Sequence, residues 1–360
     1  MTFSLRELEL PFRNRFLFSA YMNSHREKKM KNVTLEVVAL KCGMSKSTVS
    51  RVLNNHTKNF SVLPEKREMI FKIANQLGYK PNLVASTLKK QRTKIVVIFG
   101  LAPYEGPSIY SSILIEVVEV LQRAGYNVCS IFPSGGKVGT VPPWKIDGAM
   151  VFYSVQIKSL EDIDSAHVPY VSINGEAGFN GTSFLVDEAK GGHYAMEHLY
   201  SLGHRRIVYR NSFYPGHYSV SARHQAFIFE CQKLNLPLLS GHDIHQISAE
   251  EFLKNFVLSN KATAILAYSH SECLDIYFKA IRLGISIPSQ LSIMCFNDVF
   301  PCAQLIPAIT TIALPLRQMG VTAAKKLIEM MNSNSDKKLS DLYFSPKLIV
   351  RESTARINEK

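Results

Sequence analysis

Three things are scarce in this sequence of 360 residues. No apolar run approaches the roughly 18–20 residues that cross a bilayer, and IVVIFGLA, residues 95–102, is among the longest. A membrane-spanning helix is therefore not expected. Cysteine amounts to six scattered residues, Cys42, Cys129, Cys231, Cys273, Cys295 and Cys302, with no CxxC. That usage fits buried free thiols in a reducing, cytoplasmic setting rather than a disulfide framework or a metal site. The signatures of catalysis are also missing: no HExxH, no nucleophile with its base, no phosphate-binding loop. GGKVGT, residues 135–140, lacks the phosphate-loop spacing and reads as a turn. The two histidines of HDIH, residues 242–245, fall on a loop. An enzyme is not expected, and neither is a cofactor.

Acidic residues are scarce in one place. Residues 26–94 hold 16 Lys/Arg against 4 Asp/Glu, whereas residues 95–360 hold 23 of each. The net charge of +13 therefore lies almost wholly in the N-terminal part. A solvated basic surface is the plain reading, but charge segregated this sharply is the electrostatic footprint of a phosphate-binding partner. With 46% hydrophobic residues the rest can bury a sizeable core, and the length suits two or three domains.

What is present in the basic part is helical. In TLEVVALKCG, residues 34–43, Leu35, Val38, Ala39 and Cys42 recur at i, i+3, i+4, i+7 on one face. Thr34 is placed to cap the start, and Gly43 to end the helix in the left-handed conformation. Ser45 then caps a second helix from Lys46 to about Leu53. Val49, Val52 and Leu53 share one of its faces; Lys46, Ser47, Ser50 and Arg51 share the other. Helix, glycine turn, helix is a DNA-binding arrangement. Short polar side chains let the backbone approach a groove, Lys46 and Arg51 can donate to guanine edges or phosphates, and Ser45, Thr48 and Ser50 suit phosphate oxygens. A third helix begins near Pro64, carries Ile70, Ile73, Ala74 and Leu77, and ends at Gly78. The segment YKPNLVASTLKKQRT, residues 79–93, has too few apolar residues for a stable helix alone.

From about Lys94 the pattern alternates strand and helix: IVVIFGLA, SILIEVVEVLQRAGY, NVCSIF, IDGAMVFY, VPYVSI, then RRIVYR, AFIFECQKLNL, ATAILAY, IYFKAIRLGI and LSIMCF. This predicts parallel sheets covered on both faces, in two halves joined near residues 200–204. Ligands of such sheets bind beyond the carboxyl ends of the strands.

These stretches together resemble the LacI/GalR family of transcriptional regulators. The resemblance rests on VTLEVVALKCGMSKSTVSRVLNN, on EKREMIFKIANQLGYKPNLVASTLKK, and on KIDGAMV, HVPYVSIN, VDEAKGGHYAMEHLYSLGHRRIVY, SARHQAF, GISIPSQLSIMCFND, IPAITTIALPLRQMG and PKLIVRESTA, in that order over roughly 30–356. It implies a small all-α helix-turn-helix domain (30–80), a hinge helix (81–93) and an α/β periplasmic-binding-protein-like effector and dimerisation domain of two parallel-sheet subdomains (94–360). The first subdomain is expected to comprise about 94–202 and 316–343, the second about 203–315 and 344–360, with three crossing strands between them. Residues 1–29 fall outside the match. The apolar run of PFRNRFLFSAYM is barely long enough for a signal peptide and no small-x-small site follows, so export is not expected.

By this resemblance the partners are a double-stranded DNA operator, a small-molecule effector and a second copy of the chain, with no membrane. DNA contact falls to Thr34, Leu35, Ser45, Lys46, Ser47, Thr48, Ser50, Arg51, Asn54, Asn82 and Leu88, the last wedging between base pairs in the minor groove. The effector falls to Tyr110, Arg223, Ser269, His270, Asn297, Leu314 and Leu316. The sequence departs from the family at several points. NNHTKNFSVLP is a longer loop, and Leu63 stands where a capping Ser is common. CFND replaces GFDD, so Asn297 takes an Asp position, and Ser269-His270 replaces Asn-Asp. The stretch between Ile131 and Ile146 is short. The expected function is a repressor acting as a homodimer; a solute-binding module without a DNA role and an activator are the alternatives. Leu88→Ala is expected to lower operator affinity and straighten the bound DNA in a circular-permutation mobility assay; an unchanged bend would leave residues 82–88 as a tether only.

Overall fold

The computed structural model describes residues 33–53, 60–79, 92–100, 109, 111–131, 145–152, 157–212, 216–239, 247–333 and 340–357. The chain divides into two compact units, Met1–Lys90 and Gln91–Lys360.

In the first unit, α1 (Leu35–Cys42), α2 (Lys46–Leu53) and α3 (Pro64–Gln76) surround a small core of Val38, Ala39, Cys42, Val49, Val52, Ile70 and Ala74. The caps fall where the residue types require them. Thr34 accepts from the Val37 amide at 3.4 Å and Gly43 adopts φ 59°. Pro64 opens α3, and Leu63 before it makes no side-chain cap. At the far end Gly78 takes φ 66° and the Tyr79 amide donates back to Ala74 O at 2.9 Å, the pattern that closes a helix on a left-handed residue.

The second unit holds two sheets. The first, ordered β10-β5-β4-β3-β1-β2, comprises β1 (Ile95–Phe99), β2 (Asn127–Ile131), β3 (Gly148–Phe152), β4 (Tyr170–Ile173), β5 (Gly181–Val186) and β10 (Leu342–Phe344). All its pairings are parallel. Among its helices are α4 (Ser111–Arg123), α5 (Ile157–Ser165) and α10 (Leu316–Asn332). The second sheet, ordered β11-β9-β8-β7-β6, comprises β6 (Ile207–Arg210), β7 (Ala264–Ala267), β8 (Ser292–Phe296), β9 (Thr310–Ala313) and β11 (Lys347–Ile349). Only β11 runs antiparallel. Its helices are α6 (Glu188–Ser201), α7 (Tyr218–Lys233), α8 (Ala249–Glu251, continuing as a π-helix over Phe252–Leu258) and α9 (His270–Arg282). No helix among the described residues is long and apolar enough to cross a membrane.

The chain passes between the sheets after β5, after β9 and after β10. The first passage corrects the expected division near 202. Helix α6 buries Ala195, Met196 and Leu199 against Tyr209, Phe227 and Leu266 of the second half, so the first half gives way after β5. No sequence-predicted helix falls over α6, so the sequence pattern could not choose the sheet it covers. Helix α10 does return to the first half, burying Met319, Ala323 and Leu327 with Ile113, Val117 and Met150. The strands β5, β9, β10 and β11 and the π-helix are not among the sequence-predicted elements. They are short or lack a distinguishing period.

At the amino ends of the second sheet, His204 bonds Thr263 Oγ1 (2.9 Å), Ser292 Oγ (3.0 Å) and Ala355 O (3.2 Å). It fastens three strand starts to the C-terminal segment. Two helix contacts need glycine for closeness. A Cβ on Gly192 of α6 would lie 2.5 Å from Ala226 Cβ of α7, and one on Gly320 of α10 would lie 2.2 Å from Ile113 Cγ2 of α4. Gly320→Val is expected to destabilise the second unit by roughly 1–3 kcal/mol, the usual cost of overpacking, read from the midpoint of urea unfolding.

Candidate functional site: the polar face of a helix and a polar network at the strand ends

The polar face of α2 is built from its packing. Val49 and Val52 are buried, which turns Ser45, Lys46, Ser47 and Arg51 to solvent, with Thr48 and Ser50 half-buried. Ser45 organises the start of the helix: its Oγ accepts from the Thr48 amide at 3.1 Å and lies 2.9 Å from Ser47 Oγ and 2.8 Å from Thr48 Oγ1. Lys46 pairs with Glu36 of α1 at 2.7 Å, holding that carboxyl below its ordinary range. The pair is exposed, and such pairs contribute little. The Arg51 guanidinium sits 5.1 Å above the Phe60 ring. Thr34 caps α1 and Leu35 packs at the edge of the core. Asn54, Asn82 and Leu88 lie outside the described residues.

In the second unit the carboxyl ends of β4, β5 and β7 carry a connected polar network. Arg223 of α7 is its centre. Its Nε and Nη2 donate to Glu188 at 2.8 and 2.9 Å, and its Nη1 donates to Tyr268 O at 2.8 Å. The guanidinium lies 4.9 Å from the Tyr268 ring centre and 4.4 Å from that of Phe296. Both charged residues are buried, 3% exposed for Glu188 and 2% for Arg223. Burial raises the Glu188 pKa and Arg223 opposes it. For Arg223 burial acts downward but Glu188 outweighs it, so the guanidinium stays charged.

A second chain of bonds starts at Tyr268. Its OH lies 2.8 Å from Ser219 Oγ, which lies 2.6 Å from His217 Nδ1, while His217 Nε2 lies 2.6 Å from Asn174 O. A carbonyl only accepts, so Nε2 carries the proton and Nδ1 accepts. Burial, with the nearby Arg223 charge, brings the His217 pKa down to about 4, against the opposing bond to Asn174. Next to it the Tyr218 OH donates to Asn174 Oδ1 and accepts from the Val186 amide, each at 3.1 Å.

Ser269 caps α9, accepting from the Ser271 amide at 3.1 Å, and its hydroxyl donates to Glu272. The register of β7 on β8, Ala267 opposite Cys295, brings residue 269 level with 297. Here lie two buried atoms with no hydrogen-bond partner among the described residues: His270 Nδ1 and Asn297 Oδ1. Burial pushes the His270 pKa down. Asn297 has φ 73°, a conformation Asn adopts more readily than most residues. Asp298 beside it pairs with Arg351, at 2.7 Å to Nη1 and 2.9 Å to Nη2.

Of the expected effector residues, then, Arg223, Ser269, His270 and Asn297 share the strand ends. Leu314 lies half-buried on the second passage between sheets, and Leu316 is packed in the first half's core. Tyr110 lies outside the described residues. Sequence reading did not single out Asn174, Glu188, His217, Tyr218 or Tyr268. The available signals were the acidic pair Asp187-Glu188 at a helix start and the polar run HYS at the start of α7.

Comparison with known proteins adds the relatives. Residues 34–82 match the model of bacterial regulatory proteins of the lacI family, and residues 196–354 match a periplasmic binding protein-like domain. The chain is 26% identical over 346 residues to the HTH-type transcriptional repressor PurR of Actinobacillus pleuropneumoniae serotype 3 (strain JL03), covering 91% of this chain and 99% of that one. It is 26% identical over 340 residues to the HTH-type transcriptional regulator DegA of Bacillus subtilis (strain 168), covering 90% and 99%. In structure it is similar to the lac repressor dimer bound to operator and the anti-inducer ONPF, with a TM-score of 0.72, 19% identity, and coverage of 90% and 100%. That likeness supports the fold.

His217 and His204 both have folded-state pKa values of about 4, below the ordinary 6.5. A histidine that binds its proton more weakly when folded stabilises fully above the unfolded pKa, and that stability is lost as pH falls through the window toward the folded pKa. The unfolding free energy is therefore expected to fall as pH drops from 6.5 toward 4. The double variant His204→Gln, His217→Gln should show a flatter profile in urea titrations between about pH 6.5 and 5, above the ordinary carboxylate range.

Proposed function

For a chain that belongs to the lacI family of bacterial regulatory proteins, we propose the role of a ligand-responsive transcriptional repressor that binds a pseudo-palindromic operator as a homodimer. The observation that carries this reading is the sorting of α2. Its apolar residues are spent on the head's own core, and its exposed side is a short-chained polar strip with Arg51, in the most basic part of the chain. A surface helix with no partner has no need of that strip.

In this reading each subunit lays α2 in the major groove of one half-site, and the two-fold axis of the dimer imposes the symmetry of the operator. Ser47 and Arg51 face base edges. Lys46 exchanges its exposed Glu36 partner for a phosphate. Ser45 and Thr48 hold the amino end of the helix against the backbone. Residues 81–93 follow as the hinge, with Leu88 in the minor groove.

The effector, a sugar or another metabolite, occupies the cleft at the strand ends. His270 Nδ1 and Asn297 Oδ1 are buried polar atoms that a ligand can satisfy. Arg223 orients the cleft through Glu188 and Tyr268, and keeps N–H groups on Nη1 and Nη2 for a ligand. Tyr110, Ser269, Leu314 and Leu316 complete the set. Effector binding changes the relation of the two halves, and hence of the paired hinges, giving a coupling free energy typically of 1–3 kcal/mol.

The test is selection of bound duplexes from a random pool followed by mobility-shift titration. Two related half-sites should emerge. Arg51→Ala should weaken specific binding by about 1–3 kcal/mol and relax the preference at one base position of each half-site. A protein that retains no duplex at low salt would point instead to a solute-binding module.

A further inference from the structure

The two halves of the second unit are joined by three chain passages, and covalent linkage alone lets them rotate. Three side-chain hydrogen bonds reach across from one dipeptide, His217-Tyr218, at the start of α7. Its target is Asn174 at the end of β4, with the last amide of β5 beside it. Each end of the contact is constrained. Asn174 is buried at 2% exposure and sits at φ 54°, which aims both its carbonyl and its side chain at α7. The His217 and Tyr218 rings lie 4.6 Å apart. His217 is held from behind by Ser219, and through it by Tyr268, the residue whose carbonyl and ring also hold Arg223.

We propose that His217 and Tyr218 clasp Asn174 to hold the two subdomains in the arrangement seen here, and that release of this clasp is the step by which the cleft changes shape. The regulatory meaning of that step rests on the reading of the cleft as the effector site; the clasp itself does not. Its chemistry suits a switch. The Tyr218 hydroxyl both donates and accepts, so losing it takes one hydrogen bond from the Val186 N–H and one from Asn174 Oδ1 together. Buried groups left unpaired carry a desolvation penalty, unless the halves move apart and admit water. The clasp is also wired to the ligand side. A group that displaces Tyr268 pulls Ser219, then His217, then Asn174.

The experiment measures the distance between the halves directly. Spin labels go on the exposed Cys129 of the first half and on a Lys233→Cys substitution in the second, at a side chain about half exposed. Pulsed electron resonance then gives the distance distribution of the full chain without DNA or ligand. Tyr218→Phe keeps the ring and removes two hydrogen bonds. It should broaden the distribution toward a second distance, with the ratio of the new to the original population rising on the order of tenfold, the equivalent of two modest hydrogen bonds. Asn174→Gly tolerates the positive φ and removes one of those bonds, so it should give a smaller change in the same direction. Tyr277→Phe is the control, because that hydroxyl bonds Ile306 O within one half; it should leave the distribution unmoved. Distributions for Tyr218→Phe and Asn174→Gly that match the parent, in samples with parental circular dichroism, would overturn the clasp. So would an equal broadening by Tyr277→Phe. If Tyr218→Phe does not fold, Asn174→Gly decides alone. A shift in distance with no accompanying duplex binding would retain the clasp and remove the regulator reading; bound duplex with no shift would do the reverse.

Discussion

A carboxylate and a guanidinium removed from water must satisfy each other, since an unpaired buried charge costs several kcal/mol. Glu188 and Arg223 meet that condition with a two-point contact and with Tyr268 and Phe296 against the guanidinium. Much of the network at the strand ends follows from it. Glu188 is the first residue of α6, immediately beyond the first passage between sheets, and Arg223 lies on α7. Their pairing ties α7 to the point where the chain changes halves. The Tyr268 carbonyl, taken by Arg223, fixes the tyrosine whose hydroxyl then meets Ser219. One ion pair thus sets the positions from which the rest of the network is built.

The arrangement explains why the strand ends can be polar at all. Parallel sheets covered on both faces bury their strands, and here β3, β4, β5, β6, β7 and β8 are buried along their length. Their carboxyl ends are where the apolar layers stop. Side chains there either bond to one another, as Asp298 does with Arg351, or have no hydrogen-bond partner among the described residues, as at His270 Nδ1 and Asn297 Oδ1. At the opposite ends the problem is solved permanently, with His204 satisfied by strand starts and the C-terminal segment. One rim of the sheet is sealed and the other is left for chemistry. The head follows the same sorting on a smaller scale: Val49 and Val52 of α2 enter its core, and Ser45, Lys46, Ser47 and Arg51 face solvent.

The three helices of the head, the caps at Thr34, Gly43 and Gly78, and the sorting of α2 were determined by the sequence alone. Each depends on contacts within a few residues, where periodicity and backbone preference act directly. The same is true of the charge division between the basic head and the neutral remainder. Tertiary structure decided what depends on distant partners. It assigned α6 to the second half, because Met196 and Leu199 find their apolar surroundings there rather than beside β5. It supplied the short strands β9, β10 and β11, which exist only because a neighbour offers the hydrogen bonds. It surrounded Arg223 with Glu188 and Tyr268, and joined His217 and Tyr218 to Asn174 across 43 and 44 positions of chain. No local pattern encodes such meetings, since a buried charge or hydroxyl takes its partner from whatever element the fold carries to it.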